Sequence, residues 1–168
     1  MSITENRIIG AVVIGVGASL LMDLWNFFLK RAFGIPSLNY CLLGRWLIHM
    51  PEGRFVHESI GVSPKKRLEC AIGWMAHYSI GVMLALGFVA LASDDWLTRP
   101  RMLPALLFGL GTVVFPLLVM QPSMGLGIAS SRTPNPTLAR LKSLGTHIVF
   151  GLGMYASALV LGWMLQEG

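Results

Sequence analysis

The chain has 168 residues, room for one compact domain, so any site must be built from this unit or from copies of it in a homo-oligomer. Apolar residues make up 54% and charged residues 12%, with a mean hydropathy of +0.66, whereas a soluble domain needs roughly 25% charged residues to cover its surface. Water is therefore not the main solvent, and the net charge of +5, placed at the ends of apolar runs rather than along a basic stripe with interleaved aromatics, suits anionic lipid headgroups and excludes nucleic acid as a partner.

A helix needs about 20 mostly apolar residues to cross a hydrocarbon core of about 30 Å. The first such segment is residues 8–29, too long for a secretory signal, with no convincing small-x-small cleavage site and with Trp25, Phe27 and Phe28 carrying it on to Lys30-Arg31. A connection of some forty residues follows, and its apolar content predicts a short interfacial helix over about 37–50, with Ser37 as cap, Trp46 at headgroup depth and Arg45 snorkelling. Residues 70–92 form the second span and 102–120 the third. In the third, Pro104 suits the first turn, Pro116 should kink the helix by freeing the Thr112 carbonyl, and Pro122 ends it. A Gly-, Ser- and Pro-rich loop leads to Thr137 as expected helix cap and to a fourth span over 144–165. The expected fold class is all-α, a single four-helix transmembrane bundle with the lipid bilayer as its partner.

Lys and Arg are unevenly placed. Lys30, Arg31, Arg45, Arg54, Lys65, Lys66, Arg67, Arg132, Arg140 and Lys142 flank the first and third connections, against Arg7, Arg99 and Arg101 on the other side. The positive-inside rule puts the first and third connections of a bacterial-type inner-membrane protein in the cytoplasm, with both termini and the Asp94-Asp95 turn periplasmic. On that side Cys41 and Cys70 are expected as reduced thiols, with no disulfide.

Ser19, Asp23, Asn26 and Lys30 follow i, i+4, i+7, i+11, one stripe of the first span. An ionisable group in a span costs a few kcal/mol, so Asp23 should face inward and hold a partner or a proton. Gly73, His77, Gly81 and Ala85 share a face of the second span, and Ser143, His147, Gly151 and Tyr155 a face of the fourth; small residues there let helices approach closely. Counted along the helices, Asp23, His77 and His147 lie within about 5–12 Å of the cytoplasmic boundary, where Gln121 closes the third span. The expected ligand-binding set is therefore Asp23, Asn26, His77, Gln121 and His147, with Arg132 and Asn135 from the third connection. Trp25, Trp74, Tyr78 and Trp163 read as interfacial anchors or packing. A faint repeat pairs His77–Gly81 with His147–Gly151, and Gly34-Ile-Pro-Ser37 with Gly127-Ile-Ala-Ser130. There is no phosphate loop, no His-Glu-x-x-His zinc helix and no nucleophile elbow.

Several segments together resemble a bacterial family. They are Met22-Asp23, residues 34–40 (Gly34-Ile35-Pro36-Ser37-Leu38-Asn39-Tyr40), Gly44-Arg45-Trp46, His49-Met50-Pro51, Gly73-Trp74 with His77-Tyr78, Met120-Gln121-Pro122 and Ser131-Arg132-Thr133-Pro134-Asn135-Pro136. Over nearly its full length the chain resembles a domain-of-unknown-function family of small multi-span inner-membrane proteins. The resemblance implies the fold and no activity.

Three functions follow as expectations. The first is a small-solute or ion site of a transport or sensing protein on the cytoplasmic half, where Asp23 with a histidine couples occupancy to protonation. The second is an enzyme or redox protein with a metal ion or haem on His77 and His147, His49 and His57 in reserve and Asp23 behind them. Outside that role His49 and His57 read as solvated loop residues. The third is an assembly or structural protein whose polar groups only fasten helices.

Overall fold

The computed structural model describes residues 3–93 and 95–166, so Asp94 lies outside it; all regular elements among the described residues are helical. The long helices are α1 (Ile3–Phe33), α3 (Glu69–Leu91) and α6 (Pro136–Gln166), with α2 (Tyr40–His49) in the first connection. The third span is α4 (Met102–Gly111), a π-helical stretch (Pro116–Met120) and the short α5 (Gln121–Ser123). Four stretches are long and apolar enough to cross a membrane: Arg7–Phe33, Glu69–Leu91, Met102–Ser123 and Pro136–Met164.

The boundaries differ from the expected ones where polar side chains take over. Asn39, not Ser37, caps α2 by accepting the Cys41 N–H at 3.0 Å. Asn135, not Thr137, caps α6 through the Leu138 N–H at 3.1 Å, and α6 begins several residues before the apolar run. Both are the same preference, a short side-chain oxygen reaching the free N–H groups of a first turn. In the third span the missing Pro116 N–H has the expected effect: α4 ends at Gly111, and the π-helical stretch closes with the Gln121 N–H on the Pro116 carbonyl.

The chain forms two compact units. The first comprises residues 1–36, 78–112 and 146–168, the second residues 37–77 and 113–145. Ala11, Ile14 and Ala18 of α1, Ala85, Phe88 and Val89 of α3, Ala105 of α4 and Phe150, Met154 and Ala158 of α6 build the core of the first unit, closed by Trp96. Small residues set its packing: a Cβ on Gly109 would stand 2.5 Å from the Gly151 Cα, and one on Gly151 2.7 Å from the Ala105 carbonyl oxygen, so α4 and α6 meet backbone to backbone. The outer faces are apolar as well, with Ile8, Val12, Leu20, Leu107 and Val160 all exposed. Exposed apolar faces around a small-residue core are what a hydrocarbon solvent permits and water does not.

The second unit has its own core of Leu43, Ile60 and Met124, with Tyr40, Trp46, Leu47, Met120 and Leu126 against it. Here α2 crosses the start of α3 at very short range. A Cβ on Gly44 would overlap the Glu69 carbonyl, and one on Gly73 the Tyr40 carbonyl. One helical turn earlier on each helix stand Cys41 and Cys70, and they form a disulfide. The expectation of free thiols is overturned by this crossing: Cys41-x-x-Gly44 and Cys70-x-x-Gly73 lie against each other, which brings the two sulfurs within bonding distance.

Candidate functional site

The α1 stripe is the most polar buried feature of the first unit. Ser19 is 1% and Asn26 7% exposed, and Asp23 lies between them. Asp23 Oδ2 accepts the Tyr78 hydroxyl at 3.0 Å, so Tyr78 on α3 is a carboxylate partner rather than an anchor. The Ser19 hydroxyl fills the hollow above Gly81, whose missing side chain makes room for it. Ser19 Oγ and Asn26 Oδ1 are buried with no hydrogen-bond partner among the described residues. Two unsatisfied buried oxygens one turn either side of a carboxylate are costly, about 1–3 kcal/mol each, and call for an occupant. Ser19 belongs to the expected stripe; Tyr78's role was not legible, because nothing in its own span indicates which residue of α1 it meets.

The other expected residues have partners of their own. In the first unit the Thr112 hydroxyl donates to the Gly109 carbonyl at 2.6 Å and stands 2.8 Å from His147 Nδ1, tying the end of α4 to α6. In the second unit His77 stacks on Tyr40, ring centroids 4.2 Å apart, with Nε2 at 3.3 Å from the Tyr40 hydroxyl. Gln121, 7% exposed, accepts the Ser130 hydroxyl at 2.7 Å and donates to Ser143 at 3.3 Å. Ser130 itself has a positive φ of 60°, a strained backbone that the bond to Gln121 helps to hold. Asn135 is spent on the helix cap, and Arg132 is exposed. Asp23, Asn26 and His147 thus belong to the first unit, His77 and Gln121 to the second.

The first unit also has an open crevice of about 350 Å³ lined by Leu21, Leu24, Trp25, Phe28, Val149 and Leu152. Its lining is apolar, the chemistry of an acyl chain rather than of a polar solute.

Arg45 in the second unit does not snorkel. Its guanidinium is buried and forks onto both oxygens of Glu69 at 2.8 Å, while Nη1 reaches the carbonyls of Ile60, Gly61 and Ser63 at 3.1–3.2 Å. The bond to Glu69 raises the guanidinium above its ordinary value and outweighs the opposing effect of burial. All these partners are distant in sequence, so the residue looked like an interfacial cation. Nor are His49 and His57 solvated loop residues. His49 is 1% exposed, with Nδ1 at 3.0 Å from Glu52 and Nε2 at 3.3 Å from the Pro64 carbonyl. His57 packs edge-on to it, both ring nitrogens buried without a hydrogen-bond partner among the described residues. Burial, then the neighbouring His49, pushes the His57 imidazole below its ordinary value. Glu52 bridges His49 and Lys66, and its carboxyl is lowered chiefly by the Lys66 bond. Among the described residues no three of His, Cys, Asp and Glu come together as a metal-ligand set.

Fold and site define the class: a small all-helical protein with four helices long and apolar enough to cross a membrane and with several polar side chains buried inside its two units, some paired and some not. The chain belongs to the family of proteins of unknown function DUF2938, whose model matches residues 12–161. No curated protein and no solved structure matches it.

Proposed function

We propose that this is a multi-pass bacterial inner-membrane protein that binds a monovalent cation at the Asp23 carboxylate, beside the Tyr78 hydroxyl and with Ser19 and Asn26 one turn to either side along the stripe, as the ion site of a transport or sensing protein. The observation that carries the reading is the pair of buried, unpartnered oxygens on the Asp23 stripe. Carboxylate, amide, hydroxyl and phenol oxygens form a hard donor set, which favours an alkali-metal-type ion or a proton over a soft transition metal. A single carboxylate balances one positive charge in a low-dielectric site, which argues for a monovalent ion over a divalent one. On the sidedness set by Lys and Arg, the first and third connections face the cytoplasm and the termini the periplasm, and the site opens to the cytoplasmic half.

The test is thermal unfolding of the purified protein in detergent, in sodium, potassium or choline chloride at constant ionic strength and over a range of pH. Cation binding stabilises by about 2.7 kcal/mol at a hundredfold excess over Kd. An increase in Tm specific to one cation, lost in Asp23→Asn and weakened in Ser19→Ala, is the expected result. Equal Tm in all three salts, with the pH profile of Asp23→Asn unchanged from wild type, would reduce the stripe to a helix fastener.

A further inference from the structure

We propose that the Cys41–Cys70 disulfide is a thiol–disulfide exchange site that accepts electrons from a thiol reductant, rather than a permanent staple. The two residues differ in exposure: Cys70, in the first turn of α3, is exposed and Cys41 half-buried. An incoming thiolate therefore attacks Cys70 Sγ. The S–S bond breaks, its electron pair leaves on Cys41 Sγ, and a mixed disulfide forms at Cys70. A second thiolate then attacks the reductant's sulfur in that mixed disulfide and releases Cys70. Two reductant thiols become one disulfide, two electrons enter the protein, and both cysteines take up the protons the reductant gave up.

Leaving on Cys41 is favoured by where the fold puts it. Cys41 is the second residue of α2, whose first turn contains no acidic residue, and the Asn39 side chain already caps its N–H. A thiolate there sits at the positive end of a ten-residue helix whose own first turn carries no carboxylate, and the neighbouring Glu69 carboxylate is held by Arg45.

The crossing does not rest on the sulfur bond alone. The Arg45–Glu69 fork, the three backbone carbonyls on Arg45 and the contact of Gly44 with Gly73 all join α2 and its following loop to the start of α3 independently of the disulfide. Reduction therefore leaves two thiols still facing each other, ready to reoxidise, whereas a structural disulfide is what holds its two segments together. The sidedness proposed above adds a separate reason: a disulfide bathed in a reducing cytosol is one that cycles.

The experiment uses full-length protein in detergent, where both faces are open to solvent and the result does not depend on sidedness. Oxidised wild type is equilibrated in glutathione buffers of increasing reduced-to-oxidised ratio, quenched in acid, and its free thiols are counted by maleimide gel shift while helix content is followed by circular dichroism. The expected result is reversible appearance of both thiols within that series at constant helicity. In parallel, wild type quenched early in the series should carry its glutathione adduct on Cys70 with Cys41 open to alkylation, as read by peptide mass mapping; an adduct chiefly on Cys41 would overturn the assignment of the attacked sulfur. Resistance of the disulfide in every buffer until the protein is unfolded would overturn the proposal, as would loss of helicity on reduction or failure of oxidised preparations to form the bond at all.

Discussion

Glu69→Gln tests the interior of the second unit most directly. The substitution keeps the shape of the side chain and removes its charge, leaving Arg45 with three carbonyls and an amide. The side chains are 5% exposed at Arg45 and 12% at Glu69, so solvent does little to screen the change. Two charge-assisted hydrogen bonds from Arg45 at 2.8 Å are affected, besides the Lys66 N–H on Oε2 at 2.9 Å, which an amide oxygen can still accept. At about 1.5–3 kcal/mol each they bound the loss at about 3–6 kcal/mol, in line with the 3–5 kcal/mol typical of stripping one partner from a buried pair. The amide still accepts one bond and Glu69 is not wholly dry, so about 3 kcal/mol is expected, or a fall in Tm of about 6 °C or more for a chain of this size. The assay is thermal unfolding of oxidised protein in detergent. A double-mutant cycle with Arg45→Met should return a coupling of about 2 kcal/mol, within the range for residues in direct contact. A Glu69→Gln change within about 0.5 kcal/mol of wild type, or strict additivity in the cycle, would refute the account of Arg45 as a buried, paired cation.

Other outcomes follow from the same geometry. Gly73→Ala drives a methyl group into the Tyr40 carbonyl, so it should destabilise by about 1–3 kcal/mol and slow reoxidation of Cys41 with Cys70, measured by timed alkylation. Gln121→Leu leaves the buried Ser130 hydroxyl without its acceptor and should cost about 1–3 kcal/mol in the same unfolding assay; Gln121→Glu keeps an acceptor and should cost less. His57 has a lowered imidazole, so its neutral form is favoured by the fold. Its contribution to stability is therefore complete above the unfolded value of about 6.5 and is lost as pH falls through the folded value. His57→Phe should flatten the acid limb of a Tm-against-pH profile, and an unchanged limb would place that titration elsewhere.

The four helices long and apolar enough to cross a membrane were legible because that property is local: about twenty apolar residues satisfy their own backbone and need no knowledge of the rest of the chain. The distortion at Pro116 was legible for the same reason, since the missing N–H and the carbonyl it frees are four residues apart. The inward stripe of Ser19, Asp23 and Asn26 could be read because helical period fixes which residues share a face and an intramembrane carboxylate cannot face lipid. Tyr78 as the partner of Asp23, Glu69 as the partner of Arg45, and the meeting of Cys41 with Cys70 could not, because each joins elements whose register is set by packing across helices. The spacing Cys-x-x-Gly, present in both helices, was the one available signal for the disulfide. It becomes informative only once the two glycines are known to face each other. Composition and periodicity thus determined which segments are helices and which face is polar; the tertiary structure alone decided which polar groups are paired, which oxygens are left without a partner, and that both thiols are joined, since hydrogen bonds and disulfides depend on distances that local sequence does not encode.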